Sequence, residues 1–301
     1  MSLLTLDNSW ESLFKPGEAF DYFILDNAAQ LNTEFNNFNA TNAWWLAEFS
    51  RLIYHNNFFE NENINLGALN YELLDYIECE DTSTRVGLIN IIQEKPCMVI
   101  VFQGTDEIED WNINIHAYQS TFGDNGKVHS GFKKAYLSIR DELHHSVAKN
   151  KYPFFITGHS LGAALATLAF SELSDNKNFH SCYTFGSPRT GEPKFIDSIQ
   201  SDRIYRVINN SDVVTTIPID FANIVYKHIG KPCLIDNKGI LLNKADEDEV
   251  YEYQISKLGG LKEYAISKIF NNDLKSIKDD LPSFLSDHAP INYVLKLQNL
   301  L

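Results

Sequence analysis

The chain has 301 residues, with 40 Asp and Glu against 25 Lys and Arg, a formal charge of −15. That excess is repelled by nucleic-acid phosphate and by anionic bilayer surfaces, so neutral substrates fit it better and no nucleic-acid partner is expected. Cys79, Cys97, Cys182 and Cys233 are widely spaced and form no C-x-x-C pair, a pattern of reduced core thiols and not of a disulfide framework or a metal site.

No Pro/Gly/Ser linker divides the chain, and its length is enough to bury a large core, so a single α/β domain over 1–301 is expected. Met1 to Phe14 lacks a basic stretch followed by a long apolar one. No run approaches the ~20 apolar residues of a transmembrane helix. Cytoplasmic residence is the default expectation, although signal-independent export would leave the same sequence.

Residues Ala19 to Tyr54 read as helical, interrupted by the Asn-rich loop or cap Asn32 to Asn42; positions 46, 49, 52 and 53 have the spacing of one buried helix face. Arg85–Ile92 and Cys97–Phe102 read as strands around Glu94-Lys95-Pro96. The second ends in Gly104-Thr105, where the chain either makes an ordinary turn or offers the Thr105 N–H to an oxyanion. Over 106–120, Ile108, Trp111, Ile113 and Ile115 lie among acids and asparagines, either as a mobile lid or as a fixed surface helix. A helix runs from His129 to about Lys149, with His129 a cap or, less favoured, a base.

Tyr152-Pro-Phe-Phe-Ile-Thr-Gly158-His-Ser160-Leu-Gly162-Ala reads as strand, sharp turn and helix, with G-x-S-x-G at the turn. Gly158 and Gly162 leave room where a Cβ would collide, and the turn lifts the Ser160 hydroxyl to a helix N-terminus that can stabilise negative charge. A strand at Ser181–Phe185 and another at Arg203–Ile208 follow, the latter running into Asn209-Asn210-Ser211-Asp212. Asp212 lies just past the carboxyl end of a strand, where parallel sheets gather functional groups; Asp202 and Asp220 compete for that role. Tyr226–Ile235, which contains His228, is a candidate strand pair. Ala245 to Glu249 reads as a solvated acidic loop, and Lys257 to Lys278 as an amphipathic helix that packs on the body, caps the site or faces lipid. Asp287 or Ser286 caps a final short helix, and His288 there completes the chain order Ser, Asp, His.

Taken together, Ala43–Ala47, Phe102–Thr105, Val128–Phe132, Thr157–Ala163, Thr184–Arg189, Tyr205–Asp212 and Asp287 through Tyr293 resemble the class 3 lipases, whose fungal triacylglycerol lipases are the best-known members. The resemblance implies an α/β-hydrolase fold, a mostly parallel central sheet flanked by helices, to which this chain adds a helical and acidic insertion or cap at 240–282 before the histidine. It implies Ser160 as nucleophile, His288 as general base, Asp212 as its orienting acid, and the N–H groups of Thr105 and Leu161 as the oxyanion hole, with His228 as runner-up base. No cofactor and no metal are implied. The substrate would be a neutral lipid ester met at a transient lipid–water interface; a phospholipid, or a soluble or feruloyl-type ester, is the alternative. A binding or scaffold protein on the same fold is the reading from a different class. Two features depart from the family: Gln103 stands where it usually has arginine, and the interval from Asp212 to His288 is long.

Overall fold

The computed structural model describes residues 7–14, 22–23, 30–34, 37–55, 69–105, 118–199, 202–259, 264, 267, 277 and 279–301. A short helix α1 (Trp10–Phe14) and the helix α2 (Ala40–Leu52) come first. Asn39 starts α2 by accepting a bond from the Asn42 N–H at 2.9 Å, as asparagine does at an N-cap. The anticipated face at Leu46, Phe49, Leu52 and Ile53 is buried.

Strands β1 (Tyr71–Cys79), β2 (Thr84–Ile91) and β3 (Cys97–Phe102) form an antiparallel meander. A small hairpin of β4 (Gln119–Thr121) and β5 (Lys127–His129) leads into α3 (Ser130–Leu137) and α4 (Arg140–Lys149). Then come β6 (Phe154–His159), α5 (Leu161–Leu173), β7 (Phe179–Phe185), α6 (Pro193–Asp197), β8 (Ile204–Asn209) and β9 (Lys231–Ile235). The chain closes with β10 (Leu241–Leu242), α7 (Glu247–Leu258), α8 (Ser283–Ser286) and α9 (Pro290–Gln298).

The large sheet has the order β1-β2-β3-β6-β7-β8-β9-β10. Strands β3, β6, β7, β8 and β9 are parallel neighbours, and β10 turns back antiparallel on β9. Every residue of β3, β6, β7 and β8 is buried, as expected of a parallel sheet covered on both faces. The two-residue alternation divides β3 between two cores. Val99 and Val101 pack with Trp44 and Phe49 of α2 and Val294 of α9, while Met98, Ile100 and Phe102 pack with Tyr136 of α3, Leu143 of α4 and Leu168 of α5. The free cysteines Cys97, Cys182 and Cys233 are buried, and burial pushes the Cys97 and Cys233 thiols up to about 12.

Several elements differ from the sequence expectation for identifiable reasons. Strand β1, over which the sequence reading placed no element, is half exposed, and its pairing slips between Leu73 and Asp75. The expected single helix to Lys149 breaks at Ile139 (φ −122°), beside Ser138, whose hydroxyl bonds the Ala135 carbonyl at 2.7 Å. The acidic cluster is not a loop. Asp246 and Glu249 form a reciprocal capping box, and Glu247, Asp248 and Glu249 sit at the positive end of the α7 dipole. Tyr226–Ile235 supplies one strand, β9, and not a pair. Of the helix expected over 257–278, residues 257–258 end α7 and most of the remainder lies outside the described residues, as does 106–117 of the lid candidate.

Candidate active site

Strand β6 ends at His159 and α5 begins at Leu161, so Ser160 alone makes the turn, with φ 58° and ψ −125°. An L-residue rarely adopts that backbone, and strain of this kind persists only where the surroundings enforce it. They do so here. The Ser160 N–H donates to the Phe185 carbonyl at 3.0 Å, and the Ser160 carbonyl accepts from Ala163 N at 3.0 Å. A Cβ on Gly158 would overlap the Gly162 carbonyl, and one on Gly162 would overlap the Phe102 carbonyl at the end of β3. Strand β6, helix α5 and strand β3 therefore meet backbone to backbone. Phe102 pairs with Gly158, so the Gln103-Gly104-Thr105 segment leaves the sheet beside the elbow, and Leu161 N–H stands in the first turn of α5.

Asp212 follows β8 and is wholly buried, as is His288. The His288 Nδ1–H donates to Asp212 Oδ2 at 2.8 Å and lies 3.0 Å from Oδ1. Two further donors fix the carboxylate: Val214 N at 2.9 Å and Tyr293 Oη at 2.5 Å. Tyr293 in turn accepts from Asn209 N at 3.1 Å, which ties α9 to the end of β8. With Nδ1–H bound to the acid, the neutral imidazole carries its basic lone pair on Nε2.

His159, next to the serine, brings the two halves together. Its ring lies 4.5 Å from that of His288, its Nε2–H donates to the His288 carbonyl at 2.6 Å, and its Nδ1 accepts from Tyr54 Oη at 2.9 Å. Gly186 (φ 58°) completes the enclosure, since a Cβ there would press on Asp212 Oδ2 and the His288 ring at 2.8 Å. Asp287 anchors the histidine loop by accepting from Ser211 Oγ at 2.8 Å and Asn210 Nδ2 at 2.9 Å. It does not cap the last helix, which starts at Pro290 with Ala289 as N-cap.

Sequence reading left Tyr54, His159, Gly186 and Tyr293 without roles, although each lies in or near a stretch with a recognisable pattern. The geometry also disposes of the competitors. His129 Nδ1 accepts from Gly131 N and Phe132 N as a helix cap. His228 Nε2–H donates to the Thr215 carbonyl at 2.7 Å, one turn away from the Asp212 carboxylate. Asp220 accepts from Tyr226 N, and Asp202 is exposed. Gln103 is buried, 3.5 Å from Arg85 Nη1. Among the described residues no group of His, Cys, Asp and Glu could hold a metal ion, and no helix is long and apolar enough to cross a membrane.

Three histidines are held neutral. Burial and then the neighbouring His288 push His159 well down, burial and then Arg206 and Arg189 do the same to His228, and burial pushes His180 to about 4. Below about pH 6.5 the unfolded chain binds protons at these rings while the folded chain does not. Stability is therefore unaffected above that pH and falls as the pH drops below it. Urea unfolding at a series of pH values should show this loss, with a shallower slope in His180→Gln; a flat profile from pH 7 to 4.5 would contradict it.

Residues 99–222, which carry Thr105, Ser160 and Asp212, match the sequence profile of the family Lipase (class 3). A secreted mono- and diacylglycerol lipase MDL3 of Malassezia globosa is 31% identical over 142 residues, covering 40% of this chain and 46% of that protein. Phospholipase A1-II 1 of Oryza sativa subsp. indica is 28% identical over 172 residues, covering 46% of this chain and 43% of that protein. The chain thus spans less than half the length of these curated relatives. Among solved structures, the native Rhizomucor miehei lipase propeptide complex superposes with a TM-score of 0.55 at 24% identity, over 66% of this chain and 68% of that one. The default expectation of cytoplasmic residence is overturned by the relative that is named as secreted. That expectation rested on a missing apolar leader, and an absence of that kind does not fix a compartment. The mostly parallel sheet flanked by helices is an α/β-hydrolase fold, and residues 99–222 of the chain match the class 3 lipase family.

Proposed function

We propose that the protein is a serine hydrolase that cleaves carboxylic esters of lipids, triacylglycerol lipase-like in its chemistry. The observation that carries this reading is the buried Asp212–His288 pair, held by His159 against the strained turn that presents Ser160. In the reaction the Ser160 hydroxyl attacks the ester carbonyl as His288 Nε2 takes its proton, and Asp212 stabilises the resulting imidazolium. The N–H groups of Thr105 and Leu161 receive the developing oxyanion, each lowering the barrier by about 3 kcal/mol. The alcohol leaves with the proton from His288, and water activated by the same ring releases the fatty acid from the acyl-enzyme.

Tyr118 and Phe221 are strongly exposed, and the Gln119 Nε2 bond to the Val225 carbonyl joins their loops. Such a surface supports transient contact with a lipid–water interface, and we read the protein as acting outside the cell. Residues 1–301 form one domain in this account, with 240–282 inserted before the histidine.

Hydrolysis of p-nitrophenyl esters from acetate to palmitate, with Ser160→Ala as the blank, tests the reading. A serine-dependent rate that favours long chains is expected. A serine-dependent preference for acetate would indicate a soluble esterase, and no serine-dependent rate on any chain length would contradict ester hydrolysis. The similarity to a protein named phospholipase A1 motivates a second reading. Release of the sn-1 fatty acid from phosphatidylcholine at a higher kcat/KM than from a triglyceride would favour it.

A further inference from the structure

Three separate stretches of the site converge on two buried side chains outside the triad, Tyr54 and His159. Burial holds the His159 ring neutral. Its Nε2–H donates to the His288 carbonyl at 2.6 Å, which leaves Nδ1 as an acceptor, and the Tyr54 hydroxyl donates to that atom at 2.9 Å. Tyr54 stands just past the end of α2, where its N–H bonds the Arg51 carbonyl at 3.3 Å. Its hydroxyl fills the space in which a Cβ on Gly104 would stand, and the His159 carbonyl lies 2.6 Å from the same point. Gly104 precedes Thr105, the oxyanion donor of the mechanism, and His159 precedes Ser160.

Asp212 fixes the His288 ring through Nδ1, but that bond leaves the backbone behind the ring to be held by something else. The His159 Nε2–H supplies the hold, at the carbonyl of the same residue. A shift of about 1 Å between reacting groups is enough to cost about a hundredfold in rate, so such a hold matters to chemistry as well as to packing. We propose that His159 and Tyr54 are positioning residues of the hydrolase, which keep the His288 imidazole, the Ser160 hydroxyl and the Thr105 N–H in one mutual register without touching the substrate or the transferred proton. This role rests on the serine-hydrolase chemistry and extends it to two side chains outside the triad. A purely structural role would instead lower the amount of folded protein and leave the rate of each folded site unchanged.

His159→Asn and His159→Gln separate the two roles. An asparagine amide reaches where Nδ1 stands and leaves the His288 carbonyl without its donor, whereas a glutamine amide reaches where Nε2 stands and restores it. The measurements are kcat and KM on p-nitrophenyl esters, expressed per reactive Ser160, and the rate of Ser160 modification by a fluorophosphonate, which needs no ester. Expected are a kcat and a labelling rate about a hundredfold lower in His159→Asn, with KM within about twofold, and most of both rates regained in His159→Gln. Tyr54→Phe keeps the ring and its packing, and should lose about tenfold. The double variant Tyr54→Phe/His159→Asn should lose little more than His159→Asn, because both changes act through one ring. Equal losses in the asparagine and glutamine variants, or a Tyr54→Phe rate within about twofold of the unsubstituted protein, would overturn the proposal. If no ester is cleaved although Ser160 still reacts, the lipid-ester reading fails and the labelling rates alone decide the positioning role.

Discussion

Asp212→Asn protein is expected to fold and to lose about four orders of magnitude in kcat, with KM little changed. The carboxylate has no contact with solvent and accepts from His288 Nδ1, Tyr293 Oη and Val214 N at once. An asparagine retains one acceptor oxygen and turns an amide toward the ring or toward Tyr293. If the amide faces His288, Nδ1 becomes the acceptor and the proton moves to Nε2, the atom that must take the serine's proton. The side chain keeps its shape, so the damage falls on the transition state more than on binding. Rates on one p-nitrophenyl ester, with circular dichroism as the folding control, check it. A loss below tenfold in a folded variant would mean that Asp212 does not govern the tautomer of His288.

The second large effect concerns stability. Gly162→Ala places a methyl group against the Phe102 carbonyl and within 2.9 Å of the Gln103 carbonyl carbon, both of them backbone atoms of the strand that delivers Thr105. Neither can swing aside as a flexible side chain would, so α5 and β3 must separate. A loss of about 3 kcal/mol is expected, at the upper end of overpacking costs. Because the separation moves the Thr105 and Leu161 N–H groups apart, activity should fall further than the folded fraction does. Urea midpoints and kcat on the same samples measure both. A variant with unchanged stability would show that the elbow has slack the packing does not suggest.

The elbow was legible in the sequence because its requirements are local: an apolar run, two glycines with no room for a Cβ, and small residues opening a helix. The order Ser, Asp, His and the strand-end position of Asp212 were legible for the same reason. Tyr293 was not. Its hydroxyl reaches Asp212 across 81 residues, and nothing near it in the chain signals a buried acceptor just past the end of β8. His159 was overlooked as the variable position of a motif whose fixed residues draw the eye, yet its ring spans Tyr54 and the His288 carbonyl. The acidic run at 245–249 was misread because solvation is the default for consecutive acids; its meaning depends on the Asp246/Glu249 spacing, which is that of a capping box.

The most direct test of the account is covalent labelling of the folded protein with a fluorophosphonate, followed by identification of the modified peptide. The buried Asp212–His288 pair beside a strained serine predicts rapid, stoichiometric modification at Ser160, lost on denaturation and in His288→Ala. Failure to label folded protein, or modification elsewhere with Ser160 intact, would contradict the claim that Ser160 is an activated nucleophile.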